Sequence, residues 1–392
     1  MKWNRIFTIV VDSLGVGALQ DGILYGDINV DTLGHIASYS NGLTIPNLSS
    51  LGIANLHFLD QVNPVANPLG YYCKAAETSK GKDTITGHYE LMGLVSEKPF
   101  ITFTEQGFPK ELILEMERQL GYQLIGNKAA SGTEIIEELG EQHIREKKLI
   151  IYTSADSVLQ IAAHEQYFGL EELYRCCEIT RSITLDPKWR IGRVIARPFI
   201  GEPGAFHRTA NRKDYALDPS GTTALDLLTH SGYQVIAIGK IADIFNRKGI
   251  SEEIHSTSSI EGMKQTIAKM DQSFQGLCFT NLVDFDALWG HRRNPDGYRM
   301  ELERFDILLG EFMKKMKSND LLILCADHGN DPTYIGSDHT REYIPIIFYS
   351  PCMQGHGLLP IAKSFSIVGK TILENFDIKN QLYGSSYFSF LF

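Results

Sequence analysis

Six short apolar runs end at a polar or acidic residue, and this repeated pattern constrains the fold more than any other feature. The runs cover residues 6–11, 149–152, 234–238, 277–283, 321–325 and 344–348. Helical patterns lie between them, as in residues 297–317, where apolar side chains recur every three or four positions. Strands that alternate with helices predict an α/β fold with a mostly parallel sheet flanked by helices. Ligands bind such sheets at the carboxyl ends of the strands.

The middle of the chain has a different pattern. A loop-rich stretch near residue 100 precedes an amphipathic helix predicted near Lys110 to Leu120, and a basic segment follows at 189–198. We interpret residues 100–212 as an inserted, smaller α+β cap domain over the ligand-binding edge of the sheet. Residues 1–99 and 213–392 then form one discontinuous, metal-binding core domain.

The composition limits the classes of partner. The formal net charge is -10, which argues against a general nucleic-acid surface because polyanions need basic patches. No window approaches the roughly 18 apolar residues of a membrane span, and no signal-peptide pattern is present. The six cysteines lack zinc-finger spacing, which predicts reduced thiols in a cytoplasmic protein. We therefore expect small-molecule partners, without nucleic acid or membrane; the oligomeric state stays open, and a monomer fits.

Two Asp-His pairs follow the run at 321–325. They are Asp327-His328 and Asp338-His339. Carboxylate oxygens and imidazole nitrogens together suit divalent ions such as Mn²⁺ or Zn²⁺. The segment therefore predicts part of a metal site at the rim of the sheet.

Further candidate ligands follow two other predicted strands. Asp12 ends the first run, and Asp284, Asp286 and His291 follow the run at 277–283. A lone Asp at a strand end is more often a helix N-cap, and a lone His is more often a surface or hydrogen-bonded imidazole. Their combination at matching strand ends favours two metal ions bridged by a substrate oxygen. Spacing does not choose between Asp284 and Asp286, and turn or cap roles fit Asp331 and Asp338 better than metal binding.

A second constellation is the turn Gly81-Lys82-Asp83-Thr84, which leads into a probable helix. A hydroxyl there lies in the positive field of a helix N-terminus, where amides can hold phosphate. The alternative is an ordinary N-cap, and the sequence is not a P-loop. On local grounds both Thr84 and Thr86 are candidate nucleophiles.

A third constellation is basic and consists of Arg193, Arg197, Arg208 and Lys240. Arginine binds phosphate in a bidentate manner, and lysine binds it as a point charge. From composition alone, a solvated surface is the commoner role for each of them.

Together these residues resemble the phosphopentomutase family of the alkaline phosphatase superfamily. The resemblance rests on residues 11–17, 31–35, 46–48, 81–88, 281–286, 290–293, 326–333 and 337–343. The Asp-His-Gly motif is shared by many phosphatases and sulfatases, whereas Gly-Lys-Asp-Thr-x-Thr-Gly-His and Asp-His-Gly-Asn-Asp-Pro-Thr are much narrower. One departure is Tyr89, where the family pattern leads us to expect Trp. The resemblance implies an alkaline-phosphatase-like core with a cap domain.

The resemblance also implies roles for individual residues. One Mn²⁺ is expected on Asp286, His291 and His339, and a second on Asp12, Asp327 and His328; other divalent ions are possible. Thr84 would be the phosphorylated nucleophile. The residues implied to contact the sugar phosphate are Ser154, Asp156, Arg193, Arg208 and Lys240.

The implied reaction is that of an isomerase of the phosphotransferase type. It interconverts ribose 1-phosphate, or 2-deoxyribose 1-phosphate, and the 5-phosphate through a phosphothreonine enzyme and a sugar bisphosphate. A sugar bisphosphate such as glucose 1,6-bisphosphate would activate the enzyme, and nucleoside salvage in the cytoplasm would be its setting.

Three alternatives compete with this interpretation. A metal-dependent phosphatase or phosphodiesterase would use the same ligands but transfer phosphate to water. A cofactor-independent phosphoglycerate mutase would use a serine nucleophile, which the surroundings of Thr84 argue against. A non-catalytic protein with a structural metal site would favour cysteine-rich ligands, which the predicted set lacks.

Overall fold

The computed structural model describes residues 1–39, 42–154 and 157–391. The chain divides into two compact units. The larger unit comprises Met1–Lys98 and Pro219–Phe392, and the smaller unit comprises Pro99–Asp218.

The strands and helices are numbered in chain order. The strands are β1 (Arg5–Val11), β2 (Tyr71–Ala75), β3 (Leu124–Ala129), β4 (Leu149–Thr153), β5 (Val158–His164), β6 (Arg193–Ile200), β7 (His207–Arg208), β8 (Lys213–Ala216), β9 (Gln234–Ile238), β10 (Glu252–Ile254), β11 (Gly276–Leu282), β12 (Asp320–Cys325), β13 (Ile344–Tyr349) and β14 (Gly357–Leu358). The α-helices are α1 (Thr32–Tyr39), α2 (Pro46–Leu51), α3 (Ile53–Leu56), α4 (Thr84–Leu91), α5 (Lys110–Leu120), α6 (Gly132–Glu146), α7 (Leu170–Ile183), α8 (Ala224–His230), α9 (Ile241–Ile244), α10 (Ser259–Lys269), α11 (Pro295–Lys315) and α12 (Ile367–Asn375). Two short 3₁₀ turns (Gly22–Tyr25 and Phe388–Phe390) and a π-helix (Phe285–Gly290) complete the set.

The larger unit is built on an eight-stranded sheet in the order β10-β9-β11-β1-β12-β13-β2-β14. The first five strands are parallel, whereas β13 runs antiparallel to both of its neighbours. Val11 pairs with Leu282, and Val10 pairs with Cys325. The carboxyl ends of β11, β1 and β12 therefore lie side by side, so the side chains that follow these strands meet at one edge.

The central strands are buried along their whole length. β1, β11 and β12 consist of buried residues only, as expected for parallel strands covered on both faces. The predicted helix at 297–317 is confirmed as α11, which begins after Asn294, whose side chain accepts the Gly297 N–H. Its buried residues, such as Leu302, Phe305 and Leu309, recur at helical spacing and form the face packed against the core.

The smaller unit contains a six-stranded mixed sheet in the order β3-β4-β5-β6-β7, with β8 also paired to β6. The apolar run at 149–152 is a strand as predicted, and it lies in this second sheet, within the segment 100–212 that the sequence indicated as an inserted domain. One face packs against α5 and α7, and the other packs partly against α6. Because β8 pairs with β6, residues 213–218 belong to the smaller unit, whereas the boundary expected from the sequence lay after residue 212.

Two predictions made from composition can be compared with this structure. All six cysteines are free, and all except Cys352 are buried, in agreement with reduced thiols. None of the helices in the described residues has the length and apolar character needed to cross a membrane.

Candidate metal centre

The acidic and histidine residues that follow β1, β11 and β12 meet at one edge of the larger sheet. Asp12 directly follows β1, Asp327 lies two residues beyond β12, and Asp286 lies in the π-helix after β11. Their side chains are buried, with exposed fractions of 2%, 0% and 7%. Three carboxylates are thus held away from bulk water at the site where α/β sheets bind ligands.

Potential ligand atoms form two overlapping groups. Asp286, His291 and His339 form the first, in which Asp286 Oδ2 lies 3.1 Å from His291 Nε2 and 3.4 Å from His339 Nε2. Asp12, Asp286 and His328 form the second. Asp286 therefore belongs to both groups.

The carboxylate of Asp327 lies beside the second group. His328 Nε2 is 3.4 Å from Asp12 Oδ1 and 3.3 Å from Asp327 Oδ2. Atoms bound to one ion at roughly 2.0–2.2 Å lie roughly 3.0–3.5 Å from each other. These separations between potential ligand atoms are therefore compatible with shared divalent ions.

Two carboxylate oxygens without hydrogen-bond partners also indicate that the cluster suits divalent metal ions. Asp12 Oδ1 and Asp327 Oδ2 are buried and have no hydrogen-bond partner among the described residues. An uncompensated carboxylate oxygen in a protein interior is strongly unfavourable. Carboxylate and imidazole ligands suit Mn²⁺ or Zn²⁺, so bound cations would neutralise the charge that this cluster concentrates.

The electrostatics of the cluster are uneven. Burial raises the pKa of Asp12, and the neighbouring carboxylate of Asp327 raises it further. Burial also opposes charge on Asp286, but the imidazoles of His339 and His291 outweigh it and hold the pKa of Asp286 well below its ordinary value. The pKa values of Asp12 and Asp286 are thus shifted in opposite directions within one buried site.

Hydrogen bonds at the far side of two imidazoles turn the other ring nitrogen towards the cluster. His291 Nδ1 lies 2.6 Å from the carbonyl of Ser337, and His328 Nδ1 lies 3.1 Å from the carbonyl of Gly329. Since a carbonyl only accepts, each Nδ1 donates its proton there, and Nε2 of the neutral ring directs its lone pair towards the cluster. Metal-bound histidines are usually oriented in this way.

Amide side chains orient two of the carboxylates, and a buried imidazole lies beside the third. Asn330 Nδ2 donates to Asp286 Oδ1 at 2.7 Å, and Asn281 Nδ2 donates to Asp12 Oδ2 at 3.0 Å. His88 is fully buried. Its Nδ1 donates to the carbonyl of Thr84 at 2.9 Å and lies 3.1 Å from Asp327 Oδ2. The sequence motifs contain these residues, but their roles depend on contacts that the sequence alone did not predict.

The geometry distinguishes the two candidate hydroxyl groups. Thr84 is the first residue of α4, and its Oγ1 lies 2.9 Å from His328 Nε2. Thr86 Oγ1 donates instead to Asp83 Oδ2 at 2.6 Å, while Asp83 caps the helix by accepting from the Thr86 N–H. Of these two hydroxyls, that of Thr84 reaches the cluster.

The alternative acids have other partners. Asp284 Oδ2 accepts the N–H of Ser259 at 2.7 Å and so supports the start of α10. Asp331 Oδ1 accepts the N–H of Thr333 in a local turn. Asp338 lies 3.2 Å from Lys82 Nζ.

A buried arginine joins the loop that carries His339 to the turn that carries Thr84. The Arg341 side chain is 1% exposed. It donates to Glu77 Oε2 at 2.6 Å, to the carbonyl of Gly81 at 2.6 Å and to the carboxylate of Asp21. Sequence reasoning gave Arg341 no role, because its partners lie about 260 to 320 positions away in the chain.

The residues expected to contact the sugar phosphate are divided between the two units. Ser154 follows β4, Arg193 begins β6, and Arg208 ends β7, all in the smaller unit. Lys240 follows β9 in the larger unit. Asp156 lies outside the described residues.

Comparison with known proteins identifies the family. A family model described as the Metalloenzyme superfamily matches residues 4–380. A phosphopentomutase from Clostridium perfringens is 58% identical over 379 residues, which are 96% of this chain and 96% of that protein. Phosphopentomutases from Clostridium tetani and Agathobacter rectalis are also 58% identical, with 96% of each chain covered.

The chain belongs to the phosphopentomutase family. The family is one of isomerases that act as phosphotransferases, in agreement with the class expected from the sequence. A solved structure, the PH0037 protein from Pyrococcus horikoshii, matches with a TM-score of 0.50 at 10% identity, covering 98% of this chain and all of the other. This match concerns the fold alone, which is the alkaline-phosphatase-like α/β fold that the sequence predicted.

Proposed function

We propose that this protein interconverts ribose 1-phosphate or 2-deoxyribose 1-phosphate and the corresponding 5-phosphate. The observation that carries the proposal is the Thr84 hydroxyl, which begins α4 and lies 2.9 Å from His328 Nε2 in the carboxylate–histidine cluster. The 58% identity to phosphopentomutases supports the same reaction. We place the enzyme in nucleoside salvage in the cytoplasm, where its free thiols suit a reducing environment.

The proposed cofactor is a pair of divalent cations, with Mn²⁺ as the expected ion. Asp286, His291 and His339 would hold one, and Asp12, Asp327 and His328 would hold the other. Such ions supply Lewis-acid chemistry, in that they neutralise phosphoryl oxygens and lower the pKa of a hydroxyl nucleophile. Asn330 and Asn281 would keep two of the carboxylates oriented, through the hydrogen bonds that they donate.

Thr84 is the proposed carrier of the phosphoryl group. In the first half-reaction, the bond from phosphorus to Thr84 Oγ1 breaks and a bond to the free hydroxyl oxygen of the sugar forms. The proton of that sugar hydroxyl is released, and Thr84 Oγ1 regains one. The sugar bisphosphate then reorients and returns its other phosphate to Thr84 by the reverse steps.

The position of Thr84 suits this role. The amides at the start of α4 and the helix dipole favour negative charge at Oγ1 and on an attached phosphate. Phosphoryl transfer depends mainly on positioning and charge stabilisation. Arg341 holds the turn through a buried contact with the Gly81 carbonyl, and Lys82 through a half-buried one with Asp27. An activating sugar bisphosphate, such as glucose 1,6-bisphosphate, would phosphorylate an unmodified Thr84 in the same way.

The decisive experiment follows two products from one substrate. Metal-loaded protein is incubated with ribose 1-phosphate and a sugar bisphosphate, and both ribose 5-phosphate and free phosphate are measured. Ribose 5-phosphate without matching free phosphate is expected. Stoichiometric free phosphate would instead indicate a phosphatase.

A substitution tests the nucleophile. Thr84→Ala should lower mutase turnover at least about a thousandfold and abolish phosphorylation at residue 84, because no other oxygen replaces Oγ1. Thr84→Ser keeps a hydroxyl and should retain part of the activity. Thr86→Ala is the matched control, since the Thr86 hydroxyl bonds Asp83. Full turnover in Thr84→Ala would contradict the mechanism.

A further inference from the structure

Arg293 joins two segments that carry ligands of the candidate metal centre. Its guanidinium donates to the carbonyl of Gly290, the last residue of the π-helix after β11, at 3.0 Å. It also reaches the loop after β12, where it donates to the carbonyls of Asp331 at 3.1 Å, Gly336 at 2.5 Å and Asp338 at 2.9 Å. One half-buried side chain thus holds the two segments together.

The same guanidinium determines how the Asn330 amide is oriented. Arg293 donates to the side-chain oxygen of Asn330. Because arginine carries donors only, the oxygen of Asn330 must face it and the nitrogen must face the other way. Asn330 Nδ2 accordingly donates to Asp286 Oδ1 at 2.7 Å. Arg293 therefore acts on the Asp286 carboxylate through one intervening side chain.

The two histidines grouped with Asp286 follow carbonyls that the guanidinium holds. His291 directly follows Gly290, and His339 directly follows Asp338. All three members of the first ligand group are thus one step away from an acceptor of Arg293. Among the described residues, Arg293 forms no hydrogen bond with the ligands proposed for the other ion, which are Asp12, Asp327 and His328.

The backbone of Arg293 has a conformation that favours glycine. Its φ is 52°, in the left-handed region. The N–H groups of Arg293 and Asn294 donate to the carbonyls of Gly290 and Trp289, both at 3.0 Å. This is the hydrogen-bond pattern of a Schellman motif, in which the left-handed position is usually glycine. The turn itself therefore does not require an arginine, and what the arginine adds is its side-chain contacts.

We propose that Arg293 is a positioning residue that sets the affinity of the ion expected on Asp286, His291 and His339. Its planar group serves five acceptors in a fixed arrangement, which the ammonium group of lysine cannot reproduce. Groups that orient metal ligands without touching the ion typically change metal affinity by about 10–100-fold. The inference rests on the proposed function in taking the centre to hold two divalent ions.

Titration calorimetry with Mn²⁺ on full-length protein, first stripped with a chelator, tests this role. Arg293→Lys keeps the charge but loses the forked donors, so it should weaken one of the two ions about 10–100-fold and the other much less. Arg292→Gln is the matched control, because it removes one positive charge at the neighbouring, exposed position. This control should bind both ions as the unsubstituted protein does.

A second substitution shows which ion is weakened. His291→Ala removes a ligand of the first ion, so adding it to Arg293→Lys should cause little further loss of metal, because both changes act on the same ion. Asp12→Asn removes a ligand of the other ion, and adding it to Arg293→Lys should abolish tight binding of both. Elemental analysis of the dialysed samples counts the ions that each variant retains.

The Mn²⁺ dependence of mutase turnover gives a further readout. The Mn²⁺ concentration for half-maximal turnover should rise in Arg293→Lys by the factor that calorimetry measures. The kcat at saturating Mn²⁺ should change less, because excess ion refills the weakened position. A loss of kcat that excess Mn²⁺ does not correct, with unchanged Mn²⁺ affinity, would contradict a role in positioning ligands of the ion.

The outcomes separate this inference from the proposed function. Equal Mn²⁺ affinities in Arg293→Lys and the unsubstituted protein, or an equal loss for both ions, would overturn it even if the protein is a fully active mutase. Binding of fewer than two ions by the unsubstituted protein would overturn it as well. Selective loss of one ion, in a protein without pentose phosphate turnover, would keep it and remove the mutase function. Arg293→Gly, which suits the left-handed backbone, provides another variant if Arg293→Lys fails to fold.

Discussion

At the scale of single residues, the sequence predicted the side chains of the candidate centre but not the choice between neighbours. Spacing alone left Asp284 beside Asp286 and Thr84 beside Thr86. In the structure, Asp284 accepts from Ser259, and Thr86 donates to Asp83. Such choices depend on partners that are brought close by folding, and a one-dimensional pattern does not contain them.

His143 is a buried residue for which the structure predicts pH dependence. Its Nδ1 donates to the carbonyl of Lys148 at 2.6 Å, and its Nε2 accepts the N–H of His164 at 2.9 Å. Both nitrogens are thus used by the neutral ring, and burial lowers the pKa of His143. As the pH falls below about 6.5, the unfolded chain takes up a proton that the folded chain does not, so stability falls.

Relative to pH 7.5, the unfolding free energy should fall by at most about 1.4 kcal/mol at pH 5.5, which is about one unit below the reference pKa of histidine. Denaturant titrations at both pH values measure this loss as the change in the unfolding free energy of the smaller unit. His143→Gln, which does not titrate, should reduce this difference. His207→Gln, at an exposed histidine of the same unit, should keep it, and an equal pH dependence in both variants would contradict the assignment.

At the scale of elements, local sequence patterns were sufficient to predict helices and strands, but not the side-chain contacts that join distant elements. The predicted helix near Lys110 to Leu120 is confirmed as α5, because its periodicity is a property of consecutive residues. The π-helix that carries Asp286 had no comparable signal. The Arg341 network likewise joins elements that are far apart in sequence.

Arg341 should be essential to the arrangement of the loops around Thr84. Its planar group donates to Glu77, Gly81 and Asp21 at once, which a lysine ammonium cannot reproduce. Arg341→Lys should therefore lower the unfolding free energy by about 3 kcal/mol and reduce mutase turnover. Chemical denaturation and the ribose 1-phosphate assay measure the two effects.

The control for this prediction is Arg118→Lys. Arg118 is exposed on α5 and pairs with Glu115 three residues earlier, and a surface pair of this kind contributes little. A stability change in Arg341→Lys no larger than that of the control would show that the buried network does not hold the turn.

At the scale of the whole molecule, the order of strands was the part of the fold that the sequence could not supply. The run at 149–152 has the same β-branched character as the central strands, yet it pairs within the smaller sheet. Strand character is local, whereas the choice of partner depends on contacts between distant segments. The edge that collects the acidic side chains was nevertheless predictable, because parallel strands align their carboxyl ends.

Metal binding should be coupled to the stability of the larger unit. The centre buries three carboxylates, and oxygens of Asp12 and Asp327 have no hydrogen-bond partner among the described residues. An ion that binds only the folded state adds about 2.7 kcal/mol at a hundredfold excess over its Kd. Removing two ions with a chelator should therefore lower the Tm of the larger unit by roughly 10 °C.

Differential scanning calorimetry with a chelator and after Mn²⁺ is restored measures this shift, and elemental analysis measures the ion content. Asp286→Asn removes the carboxylate that both ligand groups share, so its Tm should respond much less to added Mn²⁺. Asp284→Asn is the matched control and should keep the response, since Asp284 contacts Ser259. If the ions leave without any change in Tm, the buried carboxylates are compensated by the protein itself, and the metal centre has no role in holding the sheet edge together.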